Sequence, residues 1–93
     1  KRFGDQDGKI SFPMKGYTLA LDFKINEKTL NLMDELDNIT IKYNGRFYLA
    51  KDSRMSKKIF KKSDKRSESY LDYRKKLGAE ENFSSAQSTR LGL

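Results

Sequence analysis

The sequence predicts an α+β fold: a small, mainly antiparallel sheet with strands near 17–25 and 46–51, a long helix between them, and C-terminal helices. Three observations carry this. Tyr17, Leu19, Leu21, Phe23 and Ile25 alternate with Thr18, Ala20, Asp22 and Lys24, the period of a strand with one buried face. Leu30, Leu32, Met33, Leu36, Thr40 and Tyr43 then follow helical spacing up to Asn44-Gly45, a C-terminal stop signal. Beyond residue 56, basic residues surround Ile59, Phe60, Tyr70 and Leu71, as on the wet face of amphipathic helices.

Each element has its local reason. Asp5-Gln6-Asp7-Gly8-Lys9-Ile10-Ser11 matches the middle of a calcium loop, but Phe3 and Met14 stand where the first and bidentate last ligands belong. With both carboxylates missing, Asp7-Gly8 reads as a turn. Pro13 and Gly16 punctuate before the first strand. Asn26 is an N-cap with Glu27 in the first turn behind it, and the β-branched run Ile39-Thr40-Ile41 weakens the last turns. Strand, helix and second strand together have the length of a βαβ unit. Ser56 caps a short helix over Lys57–Lys62, and Ser67 caps another that Gly78 ends. The polar tail 79–93 ends in Arg90, Leu91 and Leu93, which either dock on a neighbouring surface or fray.

Composition narrows the function classes. Ninety-three residues make one domain at most. Mean hydropathy is −0.88 and 35% of residues are hydrophobic, so the chain is thin in apolar material, yet 5 Tyr and 6 Phe argue against general disorder. Without cysteine or histidine, the chain can form no disulfide, thiolate or imidazole metal site, histidine-based nucleophilic triad, or covalent flavin link through those residues. Acid–base work falls to Lys, Tyr, Asp or Glu. The net charge of +7 favours nucleic acid, anionic lipid or phosphorylated partners. Lysine outnumbers arginine 14 to 6, which weakens any reading based on bidentate recognition. No apolar run approaches the ~20 residues needed to span a bilayer. The opening Lys1-Arg2-Phe3 is no signal peptide and carries no initiator Met, so a piece of a longer protein is expected.

The stretch Asn44–Ser56 organises the rest. Phe47 and Leu49 alternate with Tyr48 and Ala50, and the run breaks into Lys51, Asp52, Ser53 and Arg54. These four are either a solvated, salt-bridged turn or working side chains at a strand end. Neither a glycine-rich dinucleotide fingerprint nor a phosphate-binding loop occurs, so nucleotide or flavin would be held chiefly outside these residues.

Taken together, G-R-F-Y-L-A-K-D-S-R at 45–54, E-L-D at 35–37, F-P-M-K-G-Y ahead of T-L-A-L-D-F, and the terminal F-S-S-A-Q-S-T-R-L-G-L resemble the C-terminal part of FAD-linked oxidoreductases of the vanillyl-alcohol-oxidase type. The nearest branches are the decaprenylphosphoryl-β-D-ribose 2′-oxidases and the aldonolactone oxidases. The likeness runs from Lys9 to Leu93. It implies that residues 1–93 are a C-terminal fragment of a substrate (cap) domain, with a core at 9–78 and a tail at 79–93, and that FAD is held mainly by a domain absent from this chain.

The resemblance further implies that Lys51 reaches both flavin and substrate with Tyr48 beside it, as catalytic and cofactor-binding groups, and that Ala20 and Asp22 border the same pocket on the substrate side. Lactone oxidases carry His-Trp-x-Lys where this chain has Tyr48-Leu49-Ala50-Lys51, which sides it with the ribose-oxidase branch. A cysteine found in some ribose oxidases is Ala20 here. Implied partners are the FAD-binding domain of the same parent protein, a sugar or polyprenyl-phosphate-sugar substrate, and an anionic membrane surface under the lysines of 57–76. The fragment alone is expected to be inactive and to dimerise through its uncovered face. Tyr48 and Lys51, three apart, point to opposite faces of a regular strand, so an irregularity near Ala50 is predicted.

A different class also fits the charge and aromatic content: a small basic nucleic-acid-binding α+β module. Against it, Tyr17 and Phe23 fall on the apolar strand face rather than beside the lysines, and no RNP-like motif is present.

Overall fold

The computed structural model describes residues 1–8 and 10–93; Lys9, where the expected core range opens, lies outside them. The order is β1 (Arg2–Phe3), β2 (Gly16–Tyr17), α1 (Glu27–Lys42), a 3-10 turn (Leu49–Lys51), α2 (Lys57–Ser63), α3 (Ser67–Lys76), α4 (Ala79–Asn82) and α5 (Ala86–Leu91). The class is α+β as predicted, and β1 and β2 pair antiparallel with Arg2 opposite Tyr17 and Phe3 opposite Gly16.

The helices form where their caps say they should. Asn26 Oδ1 accepts from Thr29 N–H at 3.0 Å while Thr29 Oγ1 accepts from Asn26 N–H at 3.1 Å, a reciprocal capping box. At the other end Gly45 N–H donates to the Thr40 carbonyl at 2.8 Å and Asn44 N–H to that of Ile41 at 3.0 Å. These bonds form a Schellman closure with Asn44 at φ 55°. Ser56 Oγ caps α2 through Ile59 N–H at 3.2 Å. Ser67 is the first residue of α3 rather than its cap. Asp64 acts just ahead of that helix, its Oδ1 accepting from Arg66 N–H at 3.1 Å.

Pairing of the strands departs from expectation. The ladder reaches Tyr17 and stops, one further bond joining Thr18 N–H to the Lys1 carbonyl. Residues 18–25 and 46–48 lie in no ladder, and no βαβ unit forms. The reason is that a strand exists only through a hydrogen-bonded neighbour, and within this chain the neighbour offered to 16–25 is two residues long.

The core is small. Met55, Phe60 and Leu91 are buried where α2, α5 and the loop after the 3-10 turn meet, with Ile10, Phe47, Leu49, Ile59 and Leu93 packed around them. The tail therefore docks: Leu91 is fully buried, and α5 ends on Gly92 at φ 70°. By contrast, Tyr17, Leu19 and Ile25 are 86%, 79% and 81% exposed, each forgoing about 1.5–3 kcal/mol that burial would yield. The accessible surface is 7409 Å², against about 5,500 Å² for a compact monomer of this mass. Extents of 40 × 32 × 19 Å describe a slab with one face uncovered. Among the described residues no helix is long and apolar enough to cross a membrane.

Candidate functional site

The predicted irregularity near Ala50 is present as the 3-10 turn. Lys51 N–H donates to the Tyr48 carbonyl at 3.1 Å and Asp52 N–H to that of Leu49 at 3.2 Å. Positions i and i+3 eclipse in 3-10 geometry, so Tyr48 and Lys51, which a regular strand would oppose, come to one side. Phe47 and Leu49 pack against the core as the alternation required.

Two clamps hold this turn. From α5, Arg90 Nη2 meets Asp52 Oδ2 at 2.7 Å, Arg90 Nη1 donates to the Met55 carbonyl, and Gln87 Nε2 donates to the Leu49 carbonyl at 2.6 Å. Asp52 Oδ1 in turn accepts from Met55 N–H at 2.9 Å and Arg54 N–H at 3.3 Å, reversing the chain. From α1, Asp37 takes both arms of Arg54 at 2.8 and 2.9 Å, Asp34 adds a contact at 3.0 Å, and the Met33 carbonyl accepts at 3.0 Å. The Asp37 hydrogen bond holds Arg54 above its ordinary basicity despite partial burial, helped by the charges of Asp37, Asp34 and Asp52.

Within this framework Lys51 stands apart. Asp52 and Arg54 on either side of Ser53 are committed to ion pairs, whereas Lys51 is exposed and, among the described residues, has no carboxylate partner. Tyr48 is half exposed, its ring packed on Phe12 with centroids 5.3 Å apart. The ring also borders a cavity of about 170 Å³ with Ile10, Phe12, Phe47 and Leu49, below the roughly 300 Å³ at which ligand pockets begin. Ala20 and Asp22 are exposed on the unpaired segment and line none of that cavity. The structure thus brings Tyr48 and Lys51 together and leaves Ala20 and Asp22 apart from them.

Sequence reasoning missed the residues that hold the site: Asp37, Asp52, Gln87 and Arg90. An aspartate in the inward stripe of α1 was the available signal, since an acid on an apolar face requires a partner. A second buried acid, Asp64, is gripped by Arg66 through Nε at 2.8 Å and Nη2 at 2.6 Å. Arg66 also binds the carbonyls of Gly8 and Ser11 at 3.0 and 2.9 Å, tying the N-terminal turn down. Burial pushes the Asp64 carboxyl up, but the Arg66 hydrogen bonds, with the charges of Arg66 and Arg46, bring it below the usual carboxylate value. Among the described residues no group of three or more carboxylates is placed to hold a metal ion.

Over its whole length the chain is 31% identical to decaprenylphosphoryl-beta-D-ribose oxidase of Mycolicibacterium smegmatis, covering 20% of that protein. It is 33% identical, again over its whole length, to an uncharacterized protein in the mprA 5′ region of Streptomyces coelicolor, covering 26% of it. The chain therefore spans a fifth to a quarter of the relatives it matches, and the resemblance to the ribose-oxidase branch is borne out. No family model matches the chain, and no solved structure does.

Proposed function

We propose that this chain is a substrate-domain segment of a FAD-dependent oxidoreductase that oxidises a sugar or alditol hydroxyl. The observation that carries the reading is the uncommitted ammonium of Lys51 on a turn whose other charged groups are all tied down, in a chain similar throughout to a sugar-lipid oxidase. Two clamps fix where that charge sits, which is the condition for electrostatic stabilisation without reorganisation.

The residues present fit a cofactor bound from outside. The cavity beside Tyr48 is about 170 Å³ and no glycine-rich loop is available, so FAD belongs to the rest of a longer polypeptide. Tyr48 and Lys51 face it from this side. When bound, the flavin supplies the hydride acceptor. Lys51 places a positive charge where negative charge develops on hydride transfer, or binds a hydroxyl or phosphate oxygen of the substrate. Tyr48 donates a hydrogen bond to the reacting hydroxyl or stacks on the sugar ring. Ala20 and Asp22 would border the substrate once their segment is covered.

A substrate carried on polyprenyl phosphate, as the mycobacterial relative's name describes, also suits the charge distribution. Between Lys57 and Lys76 there are nine Lys and Arg against three acids, a face suited to an anionic membrane surface. The test is to purify the longer polypeptide that carries this chain and add candidate sugars without oxygen. Bound flavin whose visible absorbance is bleached by a sugar supports the reading; a protein that binds no flavin contradicts it.

A further inference from the structure

The segment Thr18–Ile25 has the strongest strand pattern in the sequence and no strand neighbour. Among the described residues, the backbones of Leu19, Ala20, Leu21, Asp22 and Phe23 make no hydrogen bond, and Leu19, Leu21 and Ile25 are exposed on alternate positions. A loop built for water has no need of period-two apolar residues, and an unpaired run of N–H and C=O groups is a template for another strand. We infer that residues 18–25 are a docking strand. It completes a β-sheet carried by the remainder of a longer polypeptide, through main-chain pairing on one edge at least and burial of Leu19, Leu21, Phe23 and Ile25 on one face.

Two observations select the occupant. The chain covers 20% of the length of its mycobacterial relative, so such a protein has ample chain to supply the sheet. The antiparallel pair β1–β2 already ends at Tyr17, so a sheet entering there continues an existing ladder. With the apolar face buried, the opposite face bearing Ala20 and Asp22 is free to line a cavity. The inference rests on the functional reading above for the existence of the longer polypeptide.

The test is amide hydrogen exchange at residues 19–23, in the isolated chain and in the longer polypeptide. Free exchange in the former and slowing by at least roughly a thousandfold in the latter are expected. Leu21→Pro, which removes one donor, should leave the isolated chain's thermal midpoint within about 3 °C of Leu21→Val yet abolish the protection in the longer polypeptide. Flavin binding without protection would overturn the docking strand and spare the functional reading. Protection without flavin would do the reverse. Protection already present in the isolated chain, rising with its concentration, would make the occupant a second copy and overturn the inference as stated.

Discussion

Asp52 and Arg90, thirty-eight positions apart, meet at 2.7 Å with their side chains 11% and 27% exposed, and this contact fastens the C-terminal helix to the turn that carries Lys51. Asp52 also accepts two backbone N–H bonds, so it organises the reversal as well as the ion pair. Asp52→Ala is expected to cost about 2–4 kcal/mol, because it leaves a guanidinium and two amides without acceptors. Urea denaturation would show this as a lower midpoint at unchanged slope. A loss below about 0.5 kcal/mol would mean the clamp is decorative.

The clamp from α1 should be cooperative rather than additive. Arg54 spans Asp37, which is nearly buried, and Asp34, whose side chain is 73% exposed. A double-mutant cycle on Arg54 and Asp37 is expected to give a coupling of about 1–3 kcal/mol, whereas that between Arg54 and Asp34 should stay under about 1 kcal/mol.

Asp64 makes stability depend on pH in a definite direction. Its carboxyl titrates below the ordinary value in the folded chain, so the unfolded chain binds the proton more readily. The stabilisation is complete at neutral pH and is lost as pH falls below about 4 toward the folded value. Asp64→Asn should therefore lower stability at pH 7 and flatten the acid limb of the stability profile. An acid limb as steep as before would assign it to other groups.

Much of this was legible locally. The Asn26 cap, the Asn44-Gly45 stop and the inward Phe47 and Leu49 depend on neighbours within a few residues, and all stand as read. What failed was long-range. Strand pairing is decided by what the segment meets, and 17–25 finds only Arg2–Phe3 at its start. On α1, Leu30 and Leu32 are 39% and 40% exposed while Asp37 is buried, because Arg54 arrives from 17 residues away to satisfy it. Docking of Leu91 was likewise open, since nothing within the tail names its partners in the core.

Gly92 closes α5 at φ 70°, and a Cβ there would meet the side chain of Lys57. Gly92→Ala is expected to destabilise by about 1–2 kcal/mol through left-handed strain. Calorimetry of the variant beside Lys57→Ala would separate strain, which persists, from the clash, which does not.

The central claim is that the Lys51 ammonium, fixed by the two clamps, acts on the reacting pair. In the flavin-containing longer polypeptide, the rate of flavin reduction by substrate is measured for Lys51→Ala beside the unaltered protein. A fall of about a hundredfold, with an unchanged urea midpoint, is the result this account predicts; an unchanged rate would contradict it.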